Sequence, residues 1–212
     1  MIGAEVTYSC DEQRIIDDYL KHNGSKGEDW SKGDFDPIRK SIKVHYRKEQ
    51  NYTCPYCKVK YPVKHGMVWD IEHIIPKDKK PQFMFEPKNL CVSCKDCNGA
   101  KGNKEVLVNS RRKTFPSKSS DYKLVHPHLD DYEKHIDAVC PGDLYRPLSE
   151  KGEFTIVTCR LLRFYSLVDK EQPDNEIDEL AKAMISASGV ARELLEGELV
   201  KRIKSKQQAS EE

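Results

Sequence analysis

Two pairs of cysteines carry chemistry that can be read directly from this chain of 212 residues. Cys54-Pro-Tyr-Cys57 and Cys94-Lys-Asp-Cys97 are C-x-x-C pairs separated by 36 residues. A tight turn with two thiolates at that spacing presents both sulfurs to one ion. Two such turns complete a tetrahedral sulfur site suited to Zn²⁺. An all-cysteine site leaves no open coordination position, so the zinc is expected to be structural, clamping the ends of an insertion too short to bury its own core. Cys91 complicates the frame, because Cys91, Cys94 and Cys97 run as C-x-x-C-x-x-C, and a site using Cys91 with Cys94 stays open beside the preferred one. Cys10, Cys140 and Cys159 have no partner at ligand spacing and read as packing thiols.

Between the clamps lies Asp70-Ile-Glu72-His73-Ile-Ile-Pro76-Lys77, followed by Asn89-Leu90; Asn98 directly follows the last clamp cysteine, and Lys101 comes three residues later. An isolated Glu-His pair is more often structural than functional. Here the pair ends a predicted strand, sits between two metal knuckles and is embedded in a strongly basic stretch. The formal net charge of +1 conceals that stretch: residues 39–123 carry 20 basic and 8 acidic side chains, whereas residues 1–38 sum to −5 and residues 124–212 to −6. A basic middle between acidic ends is an electrostatic footprint for a polyanion. The competing reading is a solvated lysine-rich surface.

The elements that must position these groups are short. Residues 11–22 and 37–50 read as amphipathic helices, with Asp36 and Pro37 as N-cap and first helical residue, and 23–36 as a loop. Residues 68–71 read as a strand, 97–108 as a short helix, 109–121 as a basic loop, and 129–138 as another helix. Phe154 to Thr158 reads as a strand and Arg160 to Val168 as a helix; from Asp174 to Ile203 the pattern is strongly helical, with a break near Gly189. Strict alternation would aim Glu72 and His73 to opposite faces, so the strand must end or curl at His73 for both to reach one group; Pro76 is compatible with that. The cluster His126-Pro-His128-Leu-Asp130-Asp131 could suggest a second metal site, but a turn and helix cap is the preferred reading.

The order Cys-x-x-Cys, Glu-His-Ile-Ile-Pro, Asn-Leu, Cys-x-x-Cys-Asn-x-x-Lys resembles the HNH endonuclease family with its ββα-metal core, over roughly residues 50–105. The resemblance implies an α+β fold: a small ββα core clamped by a four-cysteine zinc site, with flanking N- and C-terminal helices. The corresponding division is 1–49 as an N-terminal helical flank, 50–110 as the nuclease core, and 111–212 as a basic loop followed by a mainly helical region. It implies His73 as general base, Glu72 and Asn98 as ligands of one catalytic Mg²⁺ or Mn²⁺, and Asn89 as support for the loop and the histidine. Many relatives carry His where this chain has Asn98. It also implies Lys101 near the scissile strand. Lys104, Arg111, Arg112 and Lys113 are then candidates for phosphate contacts.

A neutral imidazole can take a proton from water near neutral pH, and a hard cation bound by few protein oxygens leaves room for phosphate. The implied activity is metal-dependent DNA hydrolysis. The general layout resembles stand-alone HNH nucleases of bacterial anti-phage defence systems of the Septu and retron types, some of which act with a separate ATPase subunit. A second hypothesis is a zinc-stabilised nucleic-acid-binding or assembly subunit whose nuclease motif is silent. No apolar run approaches the roughly 18 residues of a membrane helix. The first twenty residues lack the basic start and apolar stretch of a secretory signal, so the eight cysteines point to a reducing, cytoplasmic setting.

Overall fold

The computed structural model describes residues 1–22, 26–63, 66–163 and 189–209. The chain divides into two units, Met1–Leu162 and Arg163–Glu212. In the second unit the described element is a helix, Gly189–Ala209, which begins at the glycine where a break was expected; the rest of the run from 174 lies outside the described residues. Among the described residues no helix is long and apolar enough to cross a membrane.

The first unit is α+β. Helices α1 (Cys10–His22) and α2 (Asp36–Glu49) precede a hairpin of β1 (Trp69–His73) and β2 (Leu90–Cys94), which runs directly into α3 (Lys95–Lys101). The strands pair antiparallel, with Trp69 opposite Cys94, Glu72 opposite Cys91 and His73 opposite Leu90. Asp70 and Glu72 therefore share one face of β1. The expected helix over 97–108 stops at Lys101, because Gly102 adopts φ +48°, and the Gly102 amide donates to the Asn98 carbonyl.

The apolar faces of α1 and α2 wrap this ββα unit. Ile38, Ile42 and Tyr46 of α2 are fully buried, as are Trp69, Leu90 and Val92 of the hairpin. Tyr19, Phe35 and Phe85 meet edge-on, with ring centroids 5.2 Å apart for Tyr19–Phe35, 5.9 Å for Tyr19–Phe85 and 4.9 Å for Phe35–Phe85. This aromatic knot fastens the N-terminal arm to the loop that follows β1. At the other end of α2, Gln50 reads the backbone of β2. Its Nε2 donates to the Val92 carbonyl at 2.7 Å, and the Val92 amide donates to Gln50 Oε1 at 2.8 Å.

Three sequence readings in the remainder are corrected. Residues 129–138 form one 3-10 turn, Tyr132–Lys134, and then strand β3 (Ile136–Cys140), which pairs with β4 (Leu144–Pro147). Phe154–Thr158 belongs to helix α4 (Glu150–Thr158), not a strand. The overlooked signal was Ser149, whose side chain accepts from the Gly152 amide as N-cap, ahead of Glu150 and Glu153 in the first turn. The 23–36 segment holds two 3-10 turns, Gly27–Ser31 and Gly33–Phe35, and Asp36 is the first helical residue rather than the cap.

Replacing Gln50 with Ala should leave the Val92 amide and carbonyl without these partners. The expected loss is about 1–3 kcal/mol of stability, read as a lower urea midpoint at unchanged m-value.

Candidate active site

The four predicted clamp cysteines converge. Cys54, Cys57, Cys94 and Cys97 are buried, and their sulfurs all lie within 4.8 Å of one another. A tetrahedron with metal–sulfur bonds of about 2.3 Å has edges of about 3.8 Å. The Cys57 and Cys94 sulfurs are 3.8 Å apart, so the cluster fits a zinc ion. Burial pushes the Cys54 thiol well above its ordinary range, a cost that a dication bound by thiolates removes. Cys91 stands outside the cluster, buried opposite Glu72, which resolves the ligand alternatives in favour of Cys94 with Cys97.

The first clamp turn also reaches the Glu72-His73 segment. Tyr56, between its two cysteines, donates its hydroxyl to Glu72 Oε1 at 3.0 Å. The same oxygen lies 2.7 Å from Lys101 Nζ, and Lys101 also donates to the His73 carbonyl at 2.9 Å. Glu72 and Lys101 are 2% and 1% exposed at their side chains. Lys101 is therefore not a surface contact for a nucleic-acid strand, as the sequence suggested, but a buried tie between α3 and the end of β1. Desolvation pushes the Glu72 carboxyl above its ordinary value, against the opposing pull of Lys101 and the Tyr56 hydrogen bond.

His73 ends β1. The next two residues are held by Asn89: the Ile74 amide donates to the Asn89 carbonyl at 2.9 Å, and the Ile75 amide to Asn89 Oδ1 at 2.7 Å. Asn89 Nδ2 donates in turn to the Ile75 and Phe83 carbonyls. All the polar atoms of this fully buried side chain thus brace the loop after the histidine. His73 Nε2 lies 3.2 Å from the Met84 carbonyl. A carbonyl only accepts, so the hydrogen bond requires the proton on Nε2 and leaves Nδ1 as the basic nitrogen. Burial, with Lys77 and Lys101 nearby, pushes the imidazole pKa down to about 3, which keeps the ring neutral at physiological pH. The Trp30 ring meets it edge-on, centroids 4.5 Å apart.

A cavity of about 760 Å³ is lined by His73, Glu72, Asp70 and Asn98, together with Trp30, Arg39, Lys40, Lys43 and Lys77. Glu72, His73 and Asn98 therefore do share one space. Within it Asn98 Nδ2 donates to Asp70 Oδ2 at 3.1 Å, which points the amide and the carboxylate at each other. Both side chains are half-buried, whereas Glu72 is sealed. Oxygen donors from Asp70 and Asn98 fit a hard divalent cation; Glu72 Oε1 already serves two donors. Sequence reasoning did not single out Asp70 as a ligand, although its position two residues before Glu72 places it on the same strand face. It passed over Trp30, Lys40 and Lys43, because nothing along the chain links α2 to the hairpin.

The other candidates are dispersed. Lys104 donates to the Thr158 carbonyl at the C-terminus of α4. Arg112 pairs with Asp121 at 2.5 Å, while Arg111 and Lys113 are exposed. The His126 cluster is a turn: the His126 amide donates to Asp130 Oδ2, Lys151 pairs with the same carboxylate at 2.6 Å, and His128 Nε2 contacts the Leu90 carbonyl.

The family model for HNH endonuclease matches residues 54–104, so this segment is an HNH endonuclease domain. The chain is similar to Septu protein PtuB of Bacillus thuringiensis, 30% identical over 103 residues that cover 47% of this chain and 36% of that protein. It is also similar to the Retron Vc95 putative HNH endonuclease of Vibrio cholerae serotype O1 biovar El Tor, 31% identical over 121 residues that cover 51% and 56%. The alignments thus span about a third and just over half of these two relatives.

Two outcomes follow. Cys54→Ser or Cys94→Ser should lower both zinc per folded chain and folded yield, measured by elemental analysis, while Cys91→Ser leaves the zinc stoichiometry intact. Lys101→Met should cost about 3–5 kcal/mol by stranding a buried carboxylate, and adding Glu72→Gln should recover a large part of that loss in a double-mutant cycle.

Proposed function

We propose that the protein is a metal-dependent endonuclease that hydrolyses phosphodiester bonds in DNA. The observation that carries this reading is the single cavity lined by a neutral histidine, a half-buried carboxylate and an amide together with Lys40 and Lys43. His73 accepts the proton of the attacking water at Nδ1. Its weak basicity in the free protein rises when an anionic phosphodiester enters and stabilises the imidazolium. Asp70 and Asn98 would hold a Mg²⁺ or Mn²⁺ ion, which supplies positive charge to the phosphoryl oxygens and the departing oxygen. Glu72 stands behind Asp70 and keeps Lys101 in place; this assigns it support rather than direct ligation. Asn89 positions the loop, and the four cysteines hold structural zinc.

The similarity to Septu and retron proteins supports a place in an anti-phage defence system; DNA as target and a separate ATPase subunit as regulator complete our reading. One observation favours the second reading, a zinc-stabilised binding or assembly subunit with a silent motif: the carboxylate directly before the histidine is neutralised by Lys101. Turnover separates the two.

Purified protein should convert supercoiled plasmid to cut forms with Mg²⁺ or Mn²⁺, and EDTA should stop it. His73→Ala should reduce the rate at least 100-fold with melting temperature and zinc content preserved. Asp70→Asn should do the same and raise the metal concentration needed. Cleavage by His73→Ala at the parent rate would overturn the assignment.

A further inference from the structure

Lys40 and Lys43 lie one turn apart on α2 and line the same cavity as His73, Asp70 and Asn98. Both fall outside the segment matched as the HNH domain. The other cations lining the cavity are occupied. Arg39 is tied to Asp36 and to the Trp30 and Lys32 carbonyls, and Lys77 pairs with Asp78 at 3.0 Å. Among the described residues, Lys40 and Lys43 have no hydrogen-bond or ion-pair partner.

Lys43 is also placed at a cost. It is half-buried, and its ammonium and the Arg47 guanidinium both come within 4 Å of one point beside Gly66. Desolvation is the main influence lowering its pKa, and Arg47 and Lys95 add to it; Asp70 is the opposing negative charge. Clustered cations repel one another unless an anion joins them.

We propose that Lys40 and Lys43 form a phosphate clamp on α2, their ammonium groups taking backbone phosphates of the DNA strand that enters the His73 cavity. The inference rests on the endonuclease reading and extends it, because it assigns strand binding to an N-terminal helix rather than to the basic loop after the core. Contacts of this kind position the strand and raise affinity without reading bases. Lysine to alanine on this helix surface preserves helix propensity, so loss of binding would not reflect unfolding.

The test is fluorescence anisotropy of a labelled DNA duplex with the full chain carrying His73→Ala, so that no substrate is consumed. Adding Lys40→Ala and Lys43→Ala should weaken binding about tenfold and lower the slope of log affinity against log salt by about 2, one for each phosphate contact. A control pair, Lys48→Ala with Lys60→Ala, removes the same charge from exposed positions outside the cavity and should change neither quantity by a comparable amount. Unchanged affinity in the clamp variant, or an equal loss in the control pair, would overturn the clamp while leaving the endonuclease reading intact. Absence of DNA binding by the parent protein at low salt would remove both.

Discussion

A single buried ammonium organises the site. Lys101 Nζ joins the Glu72 carboxylate to the His73 carbonyl, so α3 is tied to the last residues of β1 where the strand must stop. Tyr56 extends the tie to the first cysteine turn. The sulfur cluster, both strand-end residues and the helix that bears Asn98 are thereby one connected polar unit inside an apolar shell. Such a unit is stabilising only when every member is satisfied, since an unpaired charge at this depth is far costlier than a polar group at the surface. It fixes the backbone at the strand end, while the Met84 carbonyl and the Trp30 ring contact the imidazole itself.

The two donor sets suit different kinds of ion. Four sulfurs select a soft or borderline ion and surround it completely, while a carboxylate and an amide suit a hard ion and leave most of its shell open. They occupy different parts of one short hairpin: Cys94 lies opposite Trp69, and His73 is four residues further along β1. This layout lets a segment with little core of its own present a reactive surface. The apolar support comes from outside the segment, through Ile38, Ile42 and Tyr46 of α2 and the aromatic knot around Phe85.

The spacing of the four cysteines and the strand before His73 were legible in sequence because each rests on local pattern; the second strand and a bracing part for Asn89 entered only through the resemblance to the HNH family. The burial of Lys101 was not. A lysine in a basic stretch reads as solvated, and only the fold shows that Glu72 lies within 3 Å of it. Asp70 was undervalued for the same reason: strand alternation puts it on the face of Glu72, but which of two carboxylates opens to a cavity depends on what covers the other. The wall formed by Trp30, Lys40 and Lys43 was invisible, since it requires packing between elements distant along the chain. The helix at 150–158 was misread because the β-branched run Thr155-Ile-Val-Thr158 outweighed the cap at Ser149.

The bidentate grip of Gln50 on Val92 has a further effect. A two-stranded ribbon exposes unsatisfied edges, each a template on which another extended chain could add. The amide side chain fills the pairing position at the middle of β2 like a single residue of a third strand, so intermolecular ribbon growth is blocked on that side. Burial of β2 along its whole length closes the same edge further.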